Sequence, residues 1–399
     1  MTTDFSRRRF LQYFGASALS TRAATLTFDD VARAATAAPL APGTPILVLV
    51  TLYGGNDGLN TVVPYLDPMY QSSRPGISLS GADVLPLANG LALNGTMTGF
   101  KSLWDQGHLA IVLGTSYPQP SYSHFTSMAI WQTASPVESI TSGWIGRWLD
   151  GQRHNPFTAI GIGDVLTPLL AGAKRVGSVL PLWGLDVPGG TYGARAQLLG
   201  LRSPRDTALT ALASQSIGDL FSLASTVGPV LSTAPPSTLS DLAQQLDVVA
   251  NLIAANVPTR VYSVTIDGFD THADELGAQS TLVGSVSDAV AGFLARVGAT
   301  SRANDVVVMA YSEFGRRVEA NDSQGTDHGT AGPVFVAGHR VTGGFFGEQP
   351  SLGALVDGDL AVTTDFRDVY ASMLADVLGA DPQQIMPGWT SKLNLIAAG

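Results

Sequence analysis

The sequence predicts an α/β fold in which helices pack on both sides of a mostly parallel β-sheet. Two patterns support this class. Short runs that are apolar on both faces, as in buried parallel strands, alternate along the chain with stretches of amphipathic helical spacing. The composition agrees, because 45% of the 399 residues are hydrophobic and only 14% are charged. This balance supplies a sizeable core and excludes an intrinsically disordered chain.

Five apolar runs are predicted as strands of the sheet. The first spans residues 46–52 and ends at a turn of sequence GGNDG, where successive glycines break the strand. The second, at 109–113, leads into a polar loop that extends to Ser123. Three further strands are predicted at 261–266, 305–310 and 333–337.

Four stretches are predicted as helices. One is expected from about residue 123 to 133, and amphipathic spacing predicts the others at 239–257, 279–297 and 366–378. Thr364 or Asp365 is the predicted cap of the last helix. The Ser-, Thr- and Pro-rich stretch at 232–237 is predicted to link helices, and residues 38–399 are interpreted as one domain with insertions.

The N-terminus resembles a twin-arginine export signal. Residues 6–12 read SRRRFLQ, and a short apolar segment with small-residue sites follows. Residues 1–34 are therefore predicted to be a signal peptide, with the cleavage point left open between 34 and 37, and the exported chain is expected to be periplasmic or secreted. No apolar run of about 18 residues follows this segment, so no transmembrane segment is expected in the mature protein.

Charge and cysteine content exclude several classes of function. The chain has 22 Lys and Arg against 32 Asp and Glu, which is a net charge of −10 without basic clusters beyond the signal. Such a surface is unsuited to nucleic acids, since their binding depends on cationic contacts with phosphates. The chain has no Cys, which excludes disulfides, thiolate metal sites and cysteine nucleophiles.

Polar and ionisable residues are concentrated in the loops that follow the predicted strands. In an open α/β sheet these loops meet at one edge, which is where ligands bind. Each such residue alone is more often a turn residue or a helix cap. Together, their carboxylates and imidazoles suit Zn²⁺, Mn²⁺ or a similar divalent ion. The residues are Asn56, Asp57, Asn60, Ser121, Ser123, His124, Asp267, Asp270, His272, Ser312, Glu313, Arg316, Asp322, Asp327 and His328.

Five motifs in these loops resemble the DUF1501 family, in the family's order. They read GGNDGLN at 54–60, SHF at 123–125, GFDTH at 268–272, SEFGR at 312–316 and TDHG at 326–329. That family is grouped with the alkaline phosphatase-like superfamily, which includes sulfatases and nucleotide pyrophosphatases. The resemblance implies an alkaline phosphatase-like sheet between helical layers, in agreement with the pattern of strands and helices.

The resemblance also implies roles for individual positions. The superfamily's nucleophile, at a helix start after the second strand, is matched by Ser123, with Ser121 in reserve. The metal ligands that the resemblance implies are Asp57 after the first strand, Asp270, His272 and His328 for one metal, and Glu313 for a second.

One position departs from the superfamily pattern. The second metal there takes an adjacent Asp–His pair, and the corresponding residues here are Glu313 and Phe314. A phenyl ring offers no ligand atom, so the second site lacks one nitrogen, which His124 could supply. The resemblance therefore implies one or two divalent ions, Zn²⁺, Mn²⁺ or Ca²⁺, as cofactors.

These observations predict an exported metal-dependent hydrolase of phosphate or sulfate esters carried by a small molecule or a polymer. Ser123 would attack phosphorus or sulfur, and Arg316 or Asn60 would hold the non-bridging oxygens of the transferred group. The alternative is a non-catalytic secreted binding or surface-assembly protein that retains the fold. A serine hydrolase that uses Ser123, a His and an Asp is less favoured, because no Gly-x-Ser-x-Gly motif surrounds Ser123.

Overall fold

The computed structural model of the protein describes residues 38–136, 140–182 and 241–397. The predicted twin-arginine segment and the predicted linker at 232–237 lie outside these ranges. Within them, no helix combines the length and the apolar character that crossing a membrane requires.

A nine-stranded sheet forms the centre of the described ranges. Their strands are, in chain order, β1 (Ile46–Leu52), β2 (Val62–Val63), β3 (Val84–Pro86), β4 (Ala92–Asn94), β5 (Leu109–Ser116), β6 (Ala159–Ile162), β7 (Ser178–Leu180), β8 (Val261–Ile266), β9 (Val306–Ser312), β10 (Arg316–Ala320), β11 (Thr326–His328), β12 (Gly332–Ala337), β13 (Gly344–Phe346) and β14 (Thr364–Asp365). The central sheet has the order β13-β5-β12-β9-β1-β8-β6-β7, with β14 beside β5. The remaining strands form two small antiparallel sheets, β10 with β11 and β2-β4-β3.

The central sheet is mostly parallel, as predicted. β1 pairs in parallel with β8 and β9, β6 pairs in parallel with β8 and β7, and β13 and β14 are parallel to β5. All seven residues of β1 are buried, because this strand lies in the middle of the sheet under helices on both sides. The predicted α/β class is therefore confirmed, and each of the five predicted strands is present.

β12 is the exception to the parallel arrangement, and its direction positions part of the site. It runs antiparallel to both neighbours, so Gly332 at its start lies opposite Thr115 near the end of β5, and Ala337 at its end lies opposite Val308. The segment just before β12 therefore lies at the edge of the sheet where β1, β5, β8 and β9 end. The loops that carry the predicted site residues meet at this edge.

Helices cover both faces of the central sheet. They are α1 (Pro68–Ser73), α2 (Thr98–Asp105), α3 (His124–Thr133), α4 (Trp144–Asp150), α5 (Asp241–Ala254), α6 (Glu275–Gly298), α7 (Phe366–Ser372) and α8 (Pro382–Ile385). Alternate side chains of β1 enter two different cores: Val48 and Val50 pack with α5 and α6, whereas Leu47 and Leu49 pack with α3, α4 and α7. The predicted helical layers on both sides are therefore confirmed.

The predicted helices are present with shifted ends. α6 begins at Glu275, earlier than the predicted residue 279. Asp365, one of the two predicted caps, accepts a hydrogen bond from Arg367 N at 3.0 Å and so begins α7. The stretch predicted as one helix at 366–378 is α-helical only to Ser372 and continues as a π-helix at Met373–Leu378. Apolar spacing does not distinguish these two hydrogen-bonding patterns over so few turns.

Close packing of two loops at the sheet edge requires glycine at position 54. Gly54 follows β1 with a φ of +118°, and a Cβ there would lie 2.4 Å from Asp270 N. Only glycine allows both this backbone conformation and this approach. The loop after β1 is therefore held directly against the loop after β8, which carries Asp270.

Candidate metal centre

Asp270 and three histidines form a cluster at this edge of the sheet. His272 Nε2 lies 2.9 Å from Asp270 Oδ1, and His328 Nε2 lies 3.2 Å from the same oxygen. His124 Nε2 lies 3.4 Å from Asp270 Oδ2. The Nε2 atoms of His272 and His328 are 3.0 Å apart. These four residues, the Asp270 cluster, are thus centred on one carboxylate.

The residues of the Asp270 cluster come from distant parts of the chain. Asp270 and His272 lie in the loop after β8, His124 is the first residue of α3, and His328 is the last residue of β11. β11 pairs with β10, and the antiparallel β12 brings this small sheet to the carboxyl ends of the parallel strands. The cluster therefore exists only in the folded chain.

Each histidine of the Asp270 cluster has its Nδ1 against an oxygen atom outside the cluster. An oxygen at Nδ1 accepts the imidazole N–H, which leaves the lone pair on Nε2, the atom that faces Asp270. Three imidazole lone pairs are thereby directed at one carboxylate. The Nδ1 contacts are His124 with Glu313 Oε1 at 2.8 Å, His272 with Asp327 Oδ1 at 3.3 Å, and His328 with Tyr122 O at 2.6 Å.

These neighbours shift the pKa values of the cluster. Burial alone would raise the pKa of Asp270, but the hydrogen bond and positive charge of the Arg316 guanidinium outweigh it, and the value falls to about 2. Burial also disfavours a charged His124, but the Glu313 carboxylate outweighs this effect and raises the His124 pKa. Burial lowers the pKa of His328. At neutral pH the cluster therefore contains an ionised Asp270 beside a neutral His328.

Glu313 lies behind His124. Its side chain is 1% exposed, and it accepts hydrogen bonds from Gly54 N and from Ser312 Oγ, both at 2.9 Å, in addition to its contact with His124. Both carboxylate oxygens are therefore used to hold a loop and an imidazole. The resemblance implied a direct metal ligand at this position, whereas the structure places Glu313 where it orients a ligand.

Arg316 is buried, and its guanidinium is bonded to the protein on all sides. These bonds join the loop after β1, the loop after β8 and strand β11, so Arg316 positions the Asp270 carboxylate. The predicted role of holding the non-bridging oxygens of an ester needs free N–H groups, whereas those of Arg316 are directed at oxygen acceptors of the protein and, at 3.5 Å, at His272 Nε2. Its acceptors are the carbonyl oxygens of Gly54, Gly55, Phe269 and Thr326 and, at 2.7 Å, Asp270 Oδ1.

Asp57 and Asn60 lie outside the Asp270 cluster, in the buried segment after β1. Burial raises the pKa of Asp57, but the charge of Arg74, with which it forms an ion pair, outweighs burial and keeps the pKa below its ordinary value. Asn60 donates to Ile77 O at 2.9 Å and accepts from the Tyr70 hydroxyl at 2.6 Å. The structure therefore uses both side chains within the fold and does not bring them to the cluster.

Ser123 is exposed at the start of α3, between two residues that take part in the site. The carbonyl of Tyr122 holds His328, and His124 belongs to the cluster. Ser123 occupies the N-cap position, yet its side chain makes no capping hydrogen bond with the helix that the structure describes. Ser121, the reserve candidate, accepts a hydrogen bond from Ser123 N at 3.3 Å.

Phe314, the departure from the superfamily pattern, packs against two imidazoles of the cluster. Its ring centroid lies 4.8 Å from those of both His124 and His328. The close approach of Gly55, where a Cβ would lie 2.3 Å from the ring, fixes Phe314 from the other side. A phenyl ring thus lies at the position where the resemblance implied a ligand, and His124 Nε2 approaches Asp270 from the start of α3.

Two residues, Asp327 and Tyr122, orient the histidines, a role that the sequence motifs did not assign to either of them. Asp327 precedes His328 directly, and a carboxylate beside a candidate ligand is a signal that could have indicated such a role. Tyr122 contributes its backbone carbonyl. Because every residue type carries that group, no side-chain pattern could have revealed it.

The Asp270 cluster fits one divalent ion of the Zn²⁺ type. Three imidazole nitrogens and a carboxylate are ligands that Zn²⁺ takes in tetrahedral sites, where ligand atoms lie roughly 3.3 Å apart. The separations of 2.9 to 3.4 Å from Asp270 are close to this value. Ligand atoms of His124, Asp270 and His328 all lie within 4.8 Å of one another, and His272, which contacts Asp270 and His328, is not part of this mutually close group. His124 Nε2 is buried without a hydrogen-bond partner among the described residues, which a cation would satisfy.

Part of the chain matches a known protein family. Residues 240–392 match the family model DUF1501, which is described as a protein of unknown function. The resemblance predicted from the motifs is therefore confirmed over this range, which includes Asp270, His272 and His328. A comparison with curated proteins found no match.

Several solved structures are similar to the chain at 10% sequence identity. They include a protein in the alkaline phosphatase superfamily from Vibrio parahaemolyticus (TM-score 0.37; 95% of this chain and 77% of that chain covered), the C-terminal periplasmic domain of EcEptC from Escherichia coli (0.40; 90% and 94%) and the lipoteichoic acid synthase LtaP from Listeria monocytogenes (0.36; 84% and 80%). Because these TM-scores are below 0.5, we infer the chemistry of the site only from the residues that form it.

Proposed function

We propose that the protein is an exported metal-dependent hydrolase of phosphate or sulfate esters that uses Ser123 as its nucleophile. The observation that carries this proposal is the arrangement of the three histidines. Their Nδ1 atoms are held by oxygen acceptors and their Nε2 atoms converge on Asp270. Carboxylate and carbonyl groups behind histidine ligands are typical of metal sites, because they set the tautomer and the orientation of the ring.

His124, Asp270, His272 and His328 would hold the ion, with Glu313 and Asp327 behind two of the histidines. A bound divalent ion would polarise an ester oxygen and favour the ionised form of a nearby hydroxyl. Arg316 keeps Asp270 ionised and fixed in place. The cluster supplies the ligands of one ion, so we propose a single metal of the Zn²⁺ type.

Ser123 would carry the covalent step. Its hydroxyl is exposed, it is not used as a helix cap, and it lies between Tyr122 and His124. The backbone N–H groups at the start of α3 favour an anion at this position. Ser123 Oγ would form a bond to phosphorus or sulfur while the bond to the ester oxygen breaks, and the alcohol leaves with a proton. Water would then hydrolyse the ester on Ser123 and restore the hydroxyl.

The test compares metal content and ester turnover in purified mature protein. We expect about one ion per chain and turnover of aryl phosphate or aryl sulfate esters in the wild type. Ser123→Ala should keep the ion and the melting temperature and lose turnover, and Ser121→Ala should retain turnover. If Ser123→Ala turns over esters at the wild-type rate, Ser123 is not the nucleophile.

A non-catalytic binding or surface-assembly protein is the second candidate function. The Phe314 ring favours it, because this ring occupies the position of a ligand for a second metal in the superfamily pattern. A wild-type protein that is fully loaded with Zn²⁺ or Mn²⁺ and turns over neither class of ester would reject the hydrolase and support this alternative.

Export by the twin-arginine route is part of the proposal. The run SRRRFLQ at residues 6–12 motivates it. Replacing Arg7 and Arg8 with Lys should keep a folded precursor in the cytoplasm, as measured by cell fractionation. Efficient export of this double variant would reject the twin-arginine route and leave the proposed chemistry untouched.

A further inference from the structure

Thr326 connects three elements around the candidate metal centre through buried hydrogen bonds. It is the first residue of β11, lies two residues before His328 and is fully buried. Its hydroxyl donates to Glu275 Oε2 at 2.5 Å, its N–H donates to Thr271 O at 3.2 Å, and its carbonyl accepts from Arg316 Nη1 at 2.9 Å. One residue thus joins β11 to the start of α6, to the loop after β8 and to Arg316.

Glu275 holds the same segment a second time through its backbone. Its N–H, at the start of α6, donates to Gln324 O at 2.9 Å. The side chain is fully buried, and its Oε2 accepts from Thr326, whereas its Oε1 has no hydrogen-bond partner among the described residues. Burial and the charge of Asp57 raise the pKa of Glu275 to about 9, so the carboxyl is uncharged at neutral pH. A neutral acceptor, such as a glutamine amide, can therefore replace it.

The residues around Thr326 have little support from packing. Asp327, whose Oδ1 lies 3.3 Å from His272 Nδ1, has a side chain that is 61% exposed, and the side chain of His272 is 45% exposed. The pairing of β10 with β11 has an irregular register between Arg316 and Ala320. Since these side chains face solvent and the strand ladder is irregular, the buried bonds of Thr326 fix the start of β11.

We propose that Thr326 and Glu275 are positioning residues of the Asp270 cluster. Their hydrogen bond fixes β11 so that His328 Nε2 remains directed at Asp270 Oδ1. This inference rests on the proposed metal site, and it assigns the buried hydrogen bond a function in metal affinity beyond its contribution to stability. Replacing a group that orients a metal ligand typically costs roughly 10–100-fold in affinity.

Competition with a chelator, which measures Zn²⁺ affinity, tests the proposal together with urea unfolding of the metal-free protein. Thr326→Val keeps the shape of the side chain and removes its hydroxyl, and it should weaken Zn²⁺ binding about 10–100-fold at unchanged stoichiometry. Thr330→Val is the matched control, because Thr330 is also buried, lies two residues after His328, and donates to Leu360 O at 2.6 Å. It should lower the urea midpoint to a similar extent and leave Zn²⁺ affinity at the wild-type value.

Variants of Glu275 test whether the hydrogen bond itself acts. Glu275→Gln keeps an acceptor for the Thr326 hydroxyl and should retain Zn²⁺ affinity, whereas Glu275→Met should lose as much affinity as Thr326→Val. The double variant Thr326→Val/Glu275→Met should bind Zn²⁺ as tightly as either single variant, because both changes remove the same bond. Losses that multiply in the double variant would show that the two residues act independently and would overturn the inference.

The outcomes distinguish this inference from the proposed function. Wild-type Zn²⁺ affinity in Thr326→Val, or equal losses of affinity in Thr326→Val and Thr330→Val, overturns the inference and leaves the metal site in place. A wild type that does not bind Zn²⁺ rejects both. A wild type that binds Zn²⁺ without ester turnover rejects the hydrolase, and the affinity of Thr326→Val then supports or overturns the inference as before. If Thr326→Val does not fold, equal affinity in Glu275→Met and Glu275→Gln overturns the inference, and weaker binding by Glu275→Met supports it.

Discussion

Asp57 and Asp270 follow two neighbouring parallel strands, and they have different partners. β1 and β8 pair along their length, so both aspartates leave the sheet at the same edge. Asp57 is fully buried and forms an ion pair with Arg74. The Asp270 side chain is 49% exposed and lies against three histidines and Arg316.

The difference shows how the partner of a carboxylate decides its role. Arg74 brings a permanent positive charge and donates to both oxygens of Asp57, so this pair is balanced without a ligand. The imidazoles around Asp270 instead direct lone pairs at it, an arrangement that a cation stabilises. A carboxylate after a strand therefore indicates a metal site only when its neighbours are lone-pair donors.

The largest expected effect comes from breaking the buried pair. Arg74→Met leaves Asp57 and the nearby Glu275 buried without a cation, which should lower the free energy of unfolding by about 3–5 kcal/mol. Urea unfolding of the metal-free protein measures this change, and Arg153→Met is the exposed control. Metal stoichiometry of the folded fraction should stay at the wild-type value. A loss of stability below about 1 kcal/mol would show that the pair is not the structural element described here.

Asp270→Ala should have the opposite effects to Arg74→Met: a large loss of Zn²⁺ affinity and a smaller loss of stability. We expect Zn²⁺ affinity to fall by more than about 100-fold, since losing a direct ligand costs more than the ~10–100-fold of an orienting residue. Stability without metal should fall by less than for Arg74→Met, because the Asp270 side chain is half-exposed and the buried Arg316 keeps its carbonyl acceptors. His272→Ala and His328→Ala should lose affinity likewise, and His154→Ala, an exposed histidine elsewhere, serves as control. Unchanged elemental occupancy in all three site variants would reject the cluster as a metal centre.

Glu313→Gln should have an intermediate effect on metal. The variant keeps the shape of the side chain and removes the charge behind His124, so Zn²⁺ affinity should fall about 10–100-fold. Competition with a chelator measures it, with the exposed Glu319→Gln as the matched control. A loss as large as that of Asp270→Ala would instead indicate that Glu313 is a direct ligand.

The smallest expected effect, taken over a single pH unit, is a pH dependence of stability that arises in the buried region. Burial and the charge of Asp57 raise the pKa of Glu275 from 4.5 to about 9. The folded chain then holds a proton that the unfolded chain releases above pH 4.5, so stability should fall as pH rises towards 9, by at most about 1.4 kcal/mol per pH unit. Urea unfolding of metal-free protein at several pH values measures this slope. Glu275→Gln should reduce it, and an equal slope in the variant would contradict the assignment.

The sequence predicted those features that depend on the type of residue alone, such as apolar strands and potential metal ligands. Apolar character on both faces predicted the parallel strands, because a strand covered on both sides has no polar face. The motifs around Asp270, His272 and His328 predicted residues that the fold brings together. The same motifs implied a direct ligand at Glu313 and an anion-binding group at Arg316, and the structure shows both side chains engaged with the protein.

The sequence by itself determined the order of strands and helices, the similarity of residues 240–392 to the DUF1501 family model, and the residue types gathered at one edge of the sheet. The tertiary structure decided which of these groups have hydrogen-bond donors or lone pairs that the protein itself does not occupy. Hydrogen-bond donors and lone pairs are directional, and whether they are occupied depends on atoms contributed by distant segments. For this reason Arg316 and Arg317, identical in type and adjacent in β10, have different surroundings: carbonyl oxygens surround the Arg316 guanidinium, whereas that of Arg317 lies over the Tyr122 ring.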